Sequence, residues 1–289
     1  MNFVGRSVRR VLAPLIPKRF RADIPVVPVV RLTGIIGFTT PLKPGLTLES
    51  IARSLERAFG MRKPRAVALA INSPGGSPVQ AHLIYQRIRQ LAEEKKIPVI
   101  AFVEDVAASG GYMIACAADE IVADPSSIVG SIGVVGGSFG FHGLIEKLGI
   151  ERRLYTSGER KAMLDPFLPE KPEDVERLKE LQREIHGSFI ALVQDRRGSK
   201  LDSRESALFS GEYWTGTRAR DLGLVDAIGD LRTTLRDRYG DKVQTPLIAG
   251  AGWLARRTGI NAAVPSVSGL AEDLIGAVET RSWWSRYGL

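Results

Sequence analysis

The chain has 289 residues, of which 44% are hydrophobic and 25% are charged, as in an ordinary folded globular protein. Disordered and collagen-like classes are excluded, because the apolar content is normal and the 30 Gly and 16 Pro follow no period. A single cysteine, Cys116, excludes an intramolecular disulfide, and one Cys with three scattered His makes no structural zinc site.

The positive charge is concentrated at the start of the chain. The formal net charge is +8, and six basic residues precede the first acidic residue, Asp23. The remainder is nearly neutral, which argues against a nucleic-acid-binding protein. Residues 1–25 therefore form a basic tail, either a short amphipathic helix on an anionic membrane or a disordered segment. The sequence shows no spanning helix and no secretory signal, so we expect a cytoplasmic protein with peripheral contact at the inner face of the membrane.

Between residues 26 and 246 the sequence alternates between strand and helix patterns. In chain order we predict a strand at Val26–Leu32, a helix capped by Thr47, a strand at Ala66–Ile71, a helix at about Val79–Glu94, a strand at Pro98–Val103, a helix from about Ser109, strands at Glu120–Ala123 and Ile150–Thr156, and a helix at Val175–Arg196. This order predicts one α/β domain over residues 26–246, followed by a C-terminal extension over residues 247–289.

Two strand-to-helix turns hold the candidate functional residues, since ligands of such sheets collect at the carboxyl ends of the strands. The first turn contains the adjacent Gly75 and Gly76. Their N–H groups are unhindered and suit an oxyanion, although a glycine pair is also common in a plain tight turn. In the second turn Ser109 precedes Gly110, so Ser109 is either a nucleophile beside unpaired N–H groups or the N-cap of a helix.

Taken together, the two turns resemble the signal peptide peptidase A (SppA/SohB-type) family of bacterial serine peptidases, which shares the Clp protease and crotonase fold. The resemblance rests on SPGG at Ser73–Gly76 and ASGGY at Ala108–Tyr112, and it covers roughly residues 26–232. It continues in order through Asp124-Pro125, Gly130–Val134, Gly211–Gly216 and Gly223–Asp226. It implies an α/β domain with repeated ββα units and a mainly parallel sheet, and a serine endopeptidase that needs no metal and no organic cofactor.

The resemblance also implies roles for individual residues. It places the nucleophile at Ser109, the general base at Lys161, and the hydroxyl that orients the lysine at Ser131. The oxyanion donors would be the backbone N–H groups of Gly76 and Gly110. An extended substrate peptide would lie beside Ser73, Pro74 and Gly75. A lysine accepts a proton only when burial lowers its pKa, so we expect activity to rise on the alkaline side of neutrality.

Other catalytic groups stay open at this point. Clp-type relatives use a Ser-His-Asp triad, so a histidine is the main rival base. We interpret His142 as a loop or core contact, His186 as a solvated residue on a helix, and His82 as a capping or packing residue. Cys116 is a weaker alternative to Ser109 as the nucleophile.

The resemblance also implies partners and substrates. Members of the family form rings in which the serine and the lysine come from different subunits, so we expect a homo-oligomer whose sites are completed across subunits. The expected substrates are apolar or membrane-derived peptides, such as remnant signal peptides. Trp283 and Trp284 would be an interfacial anchor or an oligomer contact. The alternatives are a crotonase-type acyl-CoA enzyme and a non-catalytic, membrane-associated scaffold of the same fold.

Overall fold

The computed structural model describes residues 24–38, 45–158, 160–202, 204–248, 278 and 281–289. Almost all of the basic N-terminal tail lies outside these residues, so its contact with a membrane stays a prediction. The C-terminal extension is described only at its two ends, and the predicted domain boundary after residue 246 also stays a prediction. No helix in the described ranges has the length and apolar character needed to cross a membrane.

A seven-stranded, mostly parallel sheet forms the centre of the molecule. Its strands are β1 (Val29–Thr33), β2 (Val67–Ser73), β3 (Val99–Ala108), β4 (Glu120–Ala123), β5 (Ile128–Gly130), β6 (Tyr213–Thr215) and β7 (Ala227–Ile228). The main path runs β1-β2-β3-β4-β7, and every pair along it is parallel. The long strand β3 pairs with β4 through Ile100–Val103 and with β5 through Val106–Ala108. Strand β6 pairs antiparallel with β5.

Helices follow most of these strands. They are α1 (Leu48–Phe59), α2 (Pro78–Lys95), α3 (Gly110–Ala115), α4 (His142–Lys147), α5 (Pro172–Arg197), α6 (Gly216–Asp221) and α7 (Leu231–Tyr239). The predicted cap of α1 is confirmed, because Ser50 N donates to the Thr47 hydroxyl at 3.2 Å and Thr47 N donates to the Ser50 hydroxyl at 3.0 Å. The predicted α/β fold with a mainly parallel sheet is confirmed.

Both faces of the sheet are covered. Leu69 and Ile71 of β2 belong to the large core shared with α1, α2 and α3, while Ala68 and Ala70 belong to a smaller core with Leu235 of α7. Burial on both sides explains why β2 is apolar at successive positions instead of alternating. Because both faces are covered, polar groups meet at the carboxyl ends of β2, β3 and β5.

One predicted strand is wrong. Residues 150–156 form no strand and take no part in the described sheet, and Ile150 and Tyr155 are exposed. An apolar run becomes a strand only when a neighbouring strand satisfies its backbone groups, which the pattern itself does not reveal. The sequence analysis also missed β5, β6 and β7, because runs of two or three residues are too short to show alternation.

The segment between β5 and α5 forms what we call the outer arm, residues 134–158 and 160–168. Inside it, the rings of Phe141 and Phe167 stack at 5.5 Å, and the Arg152 guanidinium bonds the Asp165 carboxylate at 2.9 Å. The outer arm nonetheless exposes large apolar side chains: Val135, Phe139, Phe141, Leu144, Leu148, Ile150, Leu154 and Tyr155. Such a concentration of exposed apolar side chains is typical of an interaction surface.

Candidate active site

A cavity of about 440 Å³ lies at the carboxyl ends of β2, β3 and β5. Four of the predicted site residues line it together: Gly76, Ser109, Gly110 and Ser131. Gly76 follows β2, Ser109 and Gly110 follow β3, and Ser131 follows β5, and the parallel sheet brings these three strand ends to one edge. The sheet thus assembles groups that are 55 positions apart in the sequence, from Gly76 to Ser131.

The first turn is held tightly against the second. Gly75 has a φ of +105°, and a Cβ placed on it would lie 2.8 Å from the Ser109 Cβ. Ile36 braces the turn from the other side, because Ile36 N donates to Gly75 O and Ser77 N donates to Ile36 O, both at 2.8 Å. A side chain on Gly75 would therefore displace Ser109.

The other residues predicted to bind substrate lie inside this turn. Ser73 is fully buried, and its hydroxyl donates to Gly34 O at 2.7 Å and accepts from Gly75 N at 3.3 Å. Pro74 is also buried, and its carbonyl oxygen accepts from the Tyr287 phenol at 3.5 Å. The Ser73 hydroxyl thus shapes the turn, while the Pro74 carbonyl already has a partner from a distant segment.

Ser109 occupies the residue before α3 in an unusual conformation, with φ +52° and ψ −121°. Ser109 occupies the N-cap position of α3, but its side chain makes no capping hydrogen bond, so capping does not use its hydroxyl. A non-glycine residue at positive φ is uncommon and costs about 1–3 kcal/mol, and such strain clusters at functional sites. The Ser109 N–H donates to Gly130 O at 2.8 Å, which fixes the residue while its hydroxyl stays at the cavity.

Two backbone N–H groups stand beside this hydroxyl. Gly110 is the first residue of α3, whose N–H has no partner within the helix. A Cβ placed on Gly110 would lie 3.6 Å from the Gly76 nitrogen, so the two glycines are close neighbours. Among the described residues, neither N–H donates to a backbone or side-chain acceptor. Two such donors next to a serine hydroxyl are the components of an oxyanion hole.

Ser131 follows β5 and, like Ser109, has a positive φ, +54°. Its N–H donates to Glu212 O at 2.6 Å, and its hydroxyl accepts from the Tyr287 phenol at 3.4 Å. The hydroxyl therefore faces the same cavity as Ser109 and has a phenol, not an ammonium group, as its partner within this chain.

Lys161 lies elsewhere. It is exposed on the outer arm, in a turn in which Lys161 N donates to Gly158 O at 3.2 Å. It is not among the residues that line the described cavity around Ser109. A single copy of the chain thus brings together four of the predicted catalytic and oxyanion groups around this cavity, and the predicted base is not among its lining residues.

The C-terminal residues supply a wall that the sequence analysis missed. Trp283, Arg286 and Tyr287 line the cavity, and the Tyr287 ring meets the Tyr213 ring edge-on at 5.1 Å. The Tyr213 phenol donates to Arg286 O at 3.2 Å, and burial raises the pKa of the Tyr287 phenol. No local pattern in the sequence relates Tyr287 to Ser131, because only the tertiary fold brings them together.

The three histidines lie in different places. His82 is exposed and stacks on Tyr85 with ring centres 6.2 Å apart, a contact in keeping with a packing role. His142 is the exposed first residue of α4, so a core contact is wrong. His186 is half-buried, lines the cavity, and has Nε2 at 3.0 Å from Ile132 O, so the interpretation as a solvated residue is wrong. Among the described residues, no hydrogen bond joins a histidine to the Ser109 hydroxyl.

Cys116 is unsuited to act as a nucleophile. It is fully buried at the C-terminal end of α3, and burial raises the pKa of its thiol to about 12. At neutral pH the thiolate, which is the nucleophilic form, is therefore not formed. This leaves Ser109 as the candidate nucleophile of the site.

The remaining cavity walls are mainly apolar. They come from α3, from the start of the outer arm and from α5: Met113, Val134, Val135, Ile185 and Phe189. A wall of this kind favours apolar ligand groups, while the N–H groups and hydroxyls above it provide the polar contacts.

Comparison with known proteins agrees with this geometry. Residues 91–242, just over half of the chain, match peptidase family S49. A Brucella abortus protein named Na(+)/H(+) antiporter NhaA is 55% identical over 288 residues, covering 96% of this chain and 39% of the relative. Protease 4 of Haemophilus influenzae is 37% identical over 187 residues, covering 63% and 29%. The chloroplastic serine protease SPPA of Arabidopsis thaliana is 35% identical over 184 residues, covering 63% and 27%. The chain thus spans about two fifths or less of the length of these three relatives.

Proposed function

Because the chain belongs to peptidase family S49, we propose that it is a serine endopeptidase with Ser109 as nucleophile and Lys161 as general base. The observation that carries this proposal is the conformation of Ser109. Its hydroxyl is uncapped, it lines the cavity, and it lies beside the N–H groups of Gly76 and Gly110. Membership of the family supports a peptidase, and the dyad is the proposed mechanism.

In the proposed mechanism the Ser109 oxygen attacks the carbonyl carbon of the scissile peptide bond while its proton passes to the neutral Lys161 amine. The negative charge that develops on the carbonyl oxygen is stabilised by the Gly76 and Gly110 N–H groups. The lysine then returns the proton to the leaving amine, and an acyl-enzyme remains. Water, deprotonated by the same lysine, releases the acid and restores the Ser109 hydroxyl.

We propose that the Lys161 amine reaches this site from a second copy of the chain. The support is the position of Lys161 on the exposed, apolar outer arm, away from the cavity that holds Ser109. Packing of that arm against another copy would bury the lysine among apolar groups, which is the condition that lowers its pKa. The Ser131 hydroxyl would then hold the amine in place of the Tyr287 phenol.

We propose that the substrates are apolar or membrane-derived peptides. The walls formed by Met113, Ile185 and Phe189 fit apolar side chains, and the first turn offers backbone groups to an extended peptide. Such a peptide would compete with Tyr287 for the edge next to Pro74. The antiporter name belongs to a relative of which this chain covers 39%, and the peptidase match lies inside the shared region. We therefore assign peptide hydrolysis to this chain, in preference to the acyl-CoA and scaffold alternatives.

The test is cleavage of a fluorogenic apolar peptide at about pH 8, slightly above neutrality, where a lysine of lowered pKa is neutral. Ser109→Ala should lower the rate by at least about 10³-fold. The matched control is Ser188→Ala, because the Ser188 hydroxyl on α5 only donates to Glu184 O at 3.1 Å and is exposed. Equal cleavage by wild type and Ser109→Ala would overturn the proposed nucleophile.

A further inference from the structure

His186 lies on α5 and lines the cavity that contains Ser109 and Ser131. Its Nε2 atom is 3.0 Å from the carbonyl oxygen of Ile132, a residue that is fully buried. A carbonyl oxygen only accepts, so the Nε2–H tautomer donates this bond. A half-buried histidine is thus committed to one backbone group, immediately after Ser131.

The backbone around Ser131 is fixed at three successive residues. Gly130 O accepts from Ser109 N at 2.8 Å, Ser131 N donates to Glu212 O at 2.6 Å, and Ile132 O accepts from His186. Ser131 itself has a φ of +54°, a conformation that persists only when its surroundings enforce it. Of these three bonds, the one from His186 is made by a side chain.

We propose that His186 is a positioning residue that sets the direction of the Ser131 hydroxyl by holding the Ile132 carbonyl. This inference rests on the proposed function, in which the Ser131 hydroxyl orients the lysine base. Without the His186 bond, the buried Ile132 carbonyl loses its partner, and the 132–133 peptide is free to rotate toward another one, which shifts the Ile132 backbone and the adjoining Ser131. The Ser131 hydroxyl then moves with it, and a displacement of about 1 Å at a catalytic group is costly in rate.

The test compares variants that differ in the hydrogen bond and not in bulk. His186→Phe keeps a ring but removes the donor, whereas His186→Gln places an amide N–H at about the position of Nε2. We expect His186→Phe to lower kcat about tenfold and to change KM by less than about twofold, because Ser131 acts in the chemical step. We expect His186→Gln to recover at least about half of the wild-type kcat. His82→Phe is the matched control, since His82 only stacks on Tyr85.

A second experiment distinguishes a positioning role of His186 from a general effect on stability. In a Ser131→Ala background the His186→Phe substitution should change kcat by less than about twofold, because the group through which it acts is already absent. A tenfold effect that persists in this background, a wild-type rate for His186→Phe, or a His186→Gln rate as low as that of His186→Phe would each overturn the proposal. If His186→Phe does not fold, His186→Asn replaces it, because its shorter side chain keeps an amide without the reach.

Crystal structures of the His186 variants test the proposal independently of any activity measurement. The Ser131 hydroxyl should be displaced or split between rotamers in His186→Phe and unmoved in His186→Gln. An unmoved Ser131 hydroxyl in His186→Phe would overturn the proposal even where peptide cleavage is reduced. Conversely, if Ser109→Ala cleaves peptide like wild type, the proposed function fails, while the position of Ser131 in these structures still reports on His186.

Discussion

Two regions of the molecule carry the proposed catalytic dyad, and they are built in opposite ways. The turn pair, residues 72–77 and 108–111, lies at the end of a sheet that is buried on both faces, and Gly75 contacts Ser109 too closely for any side chain. The outer arm, which carries Lys161, exposes Phe139, Leu148 and Tyr155 and contains glycines with open space around them. The fold of one chain therefore positions the proposed nucleophile in the cavity, whereas the proposed base lies outside the residues that line it.

This difference indicates which region is held in place by contacts within one chain. Burial and close packing fix Ser109 in a strained conformation without a partner molecule. An apolar arm in water has no comparable constraint, and it gains one only by packing against another surface. The predictions below test whether the two regions behave in these two ways, beginning with the largest expected effect.

Lys161→Ala should lower peptide cleavage by about 10²–10⁴-fold, the usual contribution of a general base. Because the turn pair and the outer arm of different copies would form one site, a mixture of Lys161→Ala and Ser109→Ala chains should regain activity. The measurement is cleavage of the fluorogenic peptide after co-expression of the two variants, with each variant alone as the control. A mixture as inactive as its components would place both residues of the dyad in the same chain.

Arg197→Met should reduce the free energy of unfolding by about 3–5 kcal/mol, the usual cost of breaking a buried ion pair. Arg197 is 3% exposed; it donates to Gly223 O and bonds Asp226 at 2.7 Å, so its loss leaves the Gly223 carbonyl without this donor and Asp226 with only Lys200 and Ile121 N among the described residues. The matched variant in the outer arm is Arg153→Met, whose pair with Glu151 is exposed and is worth less than about 1 kcal/mol. Urea unfolding measures both, and similar losses in the two variants would contradict the contrast between the regions.

Gly75→Ala should destabilise the fold by about 1–3 kcal/mol and also lower kcat, because the methyl group meets Ser109 at 2.8 Å and φ is +105°. Its matched control, Gly143→Ala, lies in α4 of the outer arm, where a Cβ meets nothing within 4 Å. Replacing a helical glycine with alanine there should stabilise by up to about 1 kcal/mol and leave kcat unchanged. Thermal unfolding and peptide cleavage measure both variants, and a tolerated Gly75→Ala would show that the turn pair is not tightly fixed.

The sequence predicted the turn pair well because the relevant signals are local. A buried parallel strand has a continuous apolar run, and the adjacent glycines mark the turn that follows, so β2, β3 and the positions of Gly76 and Ser109 could be read directly. The roles of Ser131 and Lys161 came from resemblance to a family, and no property of either residue alone would have indicated them.

The rest of the site depends on contacts that no local pattern encodes. Tyr287 is 156 residues from Ser131, and only the tertiary fold places its phenol against that hydroxyl. His186 has polar neighbours on an amphipathic helix, so periodicity favoured solvent, whereas the carbonyl that it binds comes from residue 132. The predicted strand at Ile150–Thr156 was wrong for the related reason that apolar character does not say whether a neighbouring strand exists.

The smallest expected effect concerns acid stability, which should depend on Asp226 next to the core and not on carboxylates at the periphery. Burial alone would raise the pKa of Asp226, but hydrogen bonds from Arg197, Lys200 and Ile121 N outweigh burial and lower it. A carboxylate whose pKa is lowered by folding stabilises the protein above its unfolded value, about 3.9, and this stabilisation is lost as the pH falls through the lower folded value. The difference in urea midpoint between wild type and Asp226→Asn should therefore narrow below about pH 4.

The control for this measurement is Asp241→Asn, because the Asp241 side chain is 83% exposed and pairs only with Arg236. Its midpoint should follow that of the wild type throughout, so carboxylates shared by all three proteins cancel in the comparison. A midpoint difference for Asp226→Asn that stays constant from about pH 6 to pH 2 would mean that the charge of Asp226 adds nothing to stability. In that case the bonds of Arg197 to the Gly223 carbonyl, and not the ion pair, would be what holds α5 against the sheet.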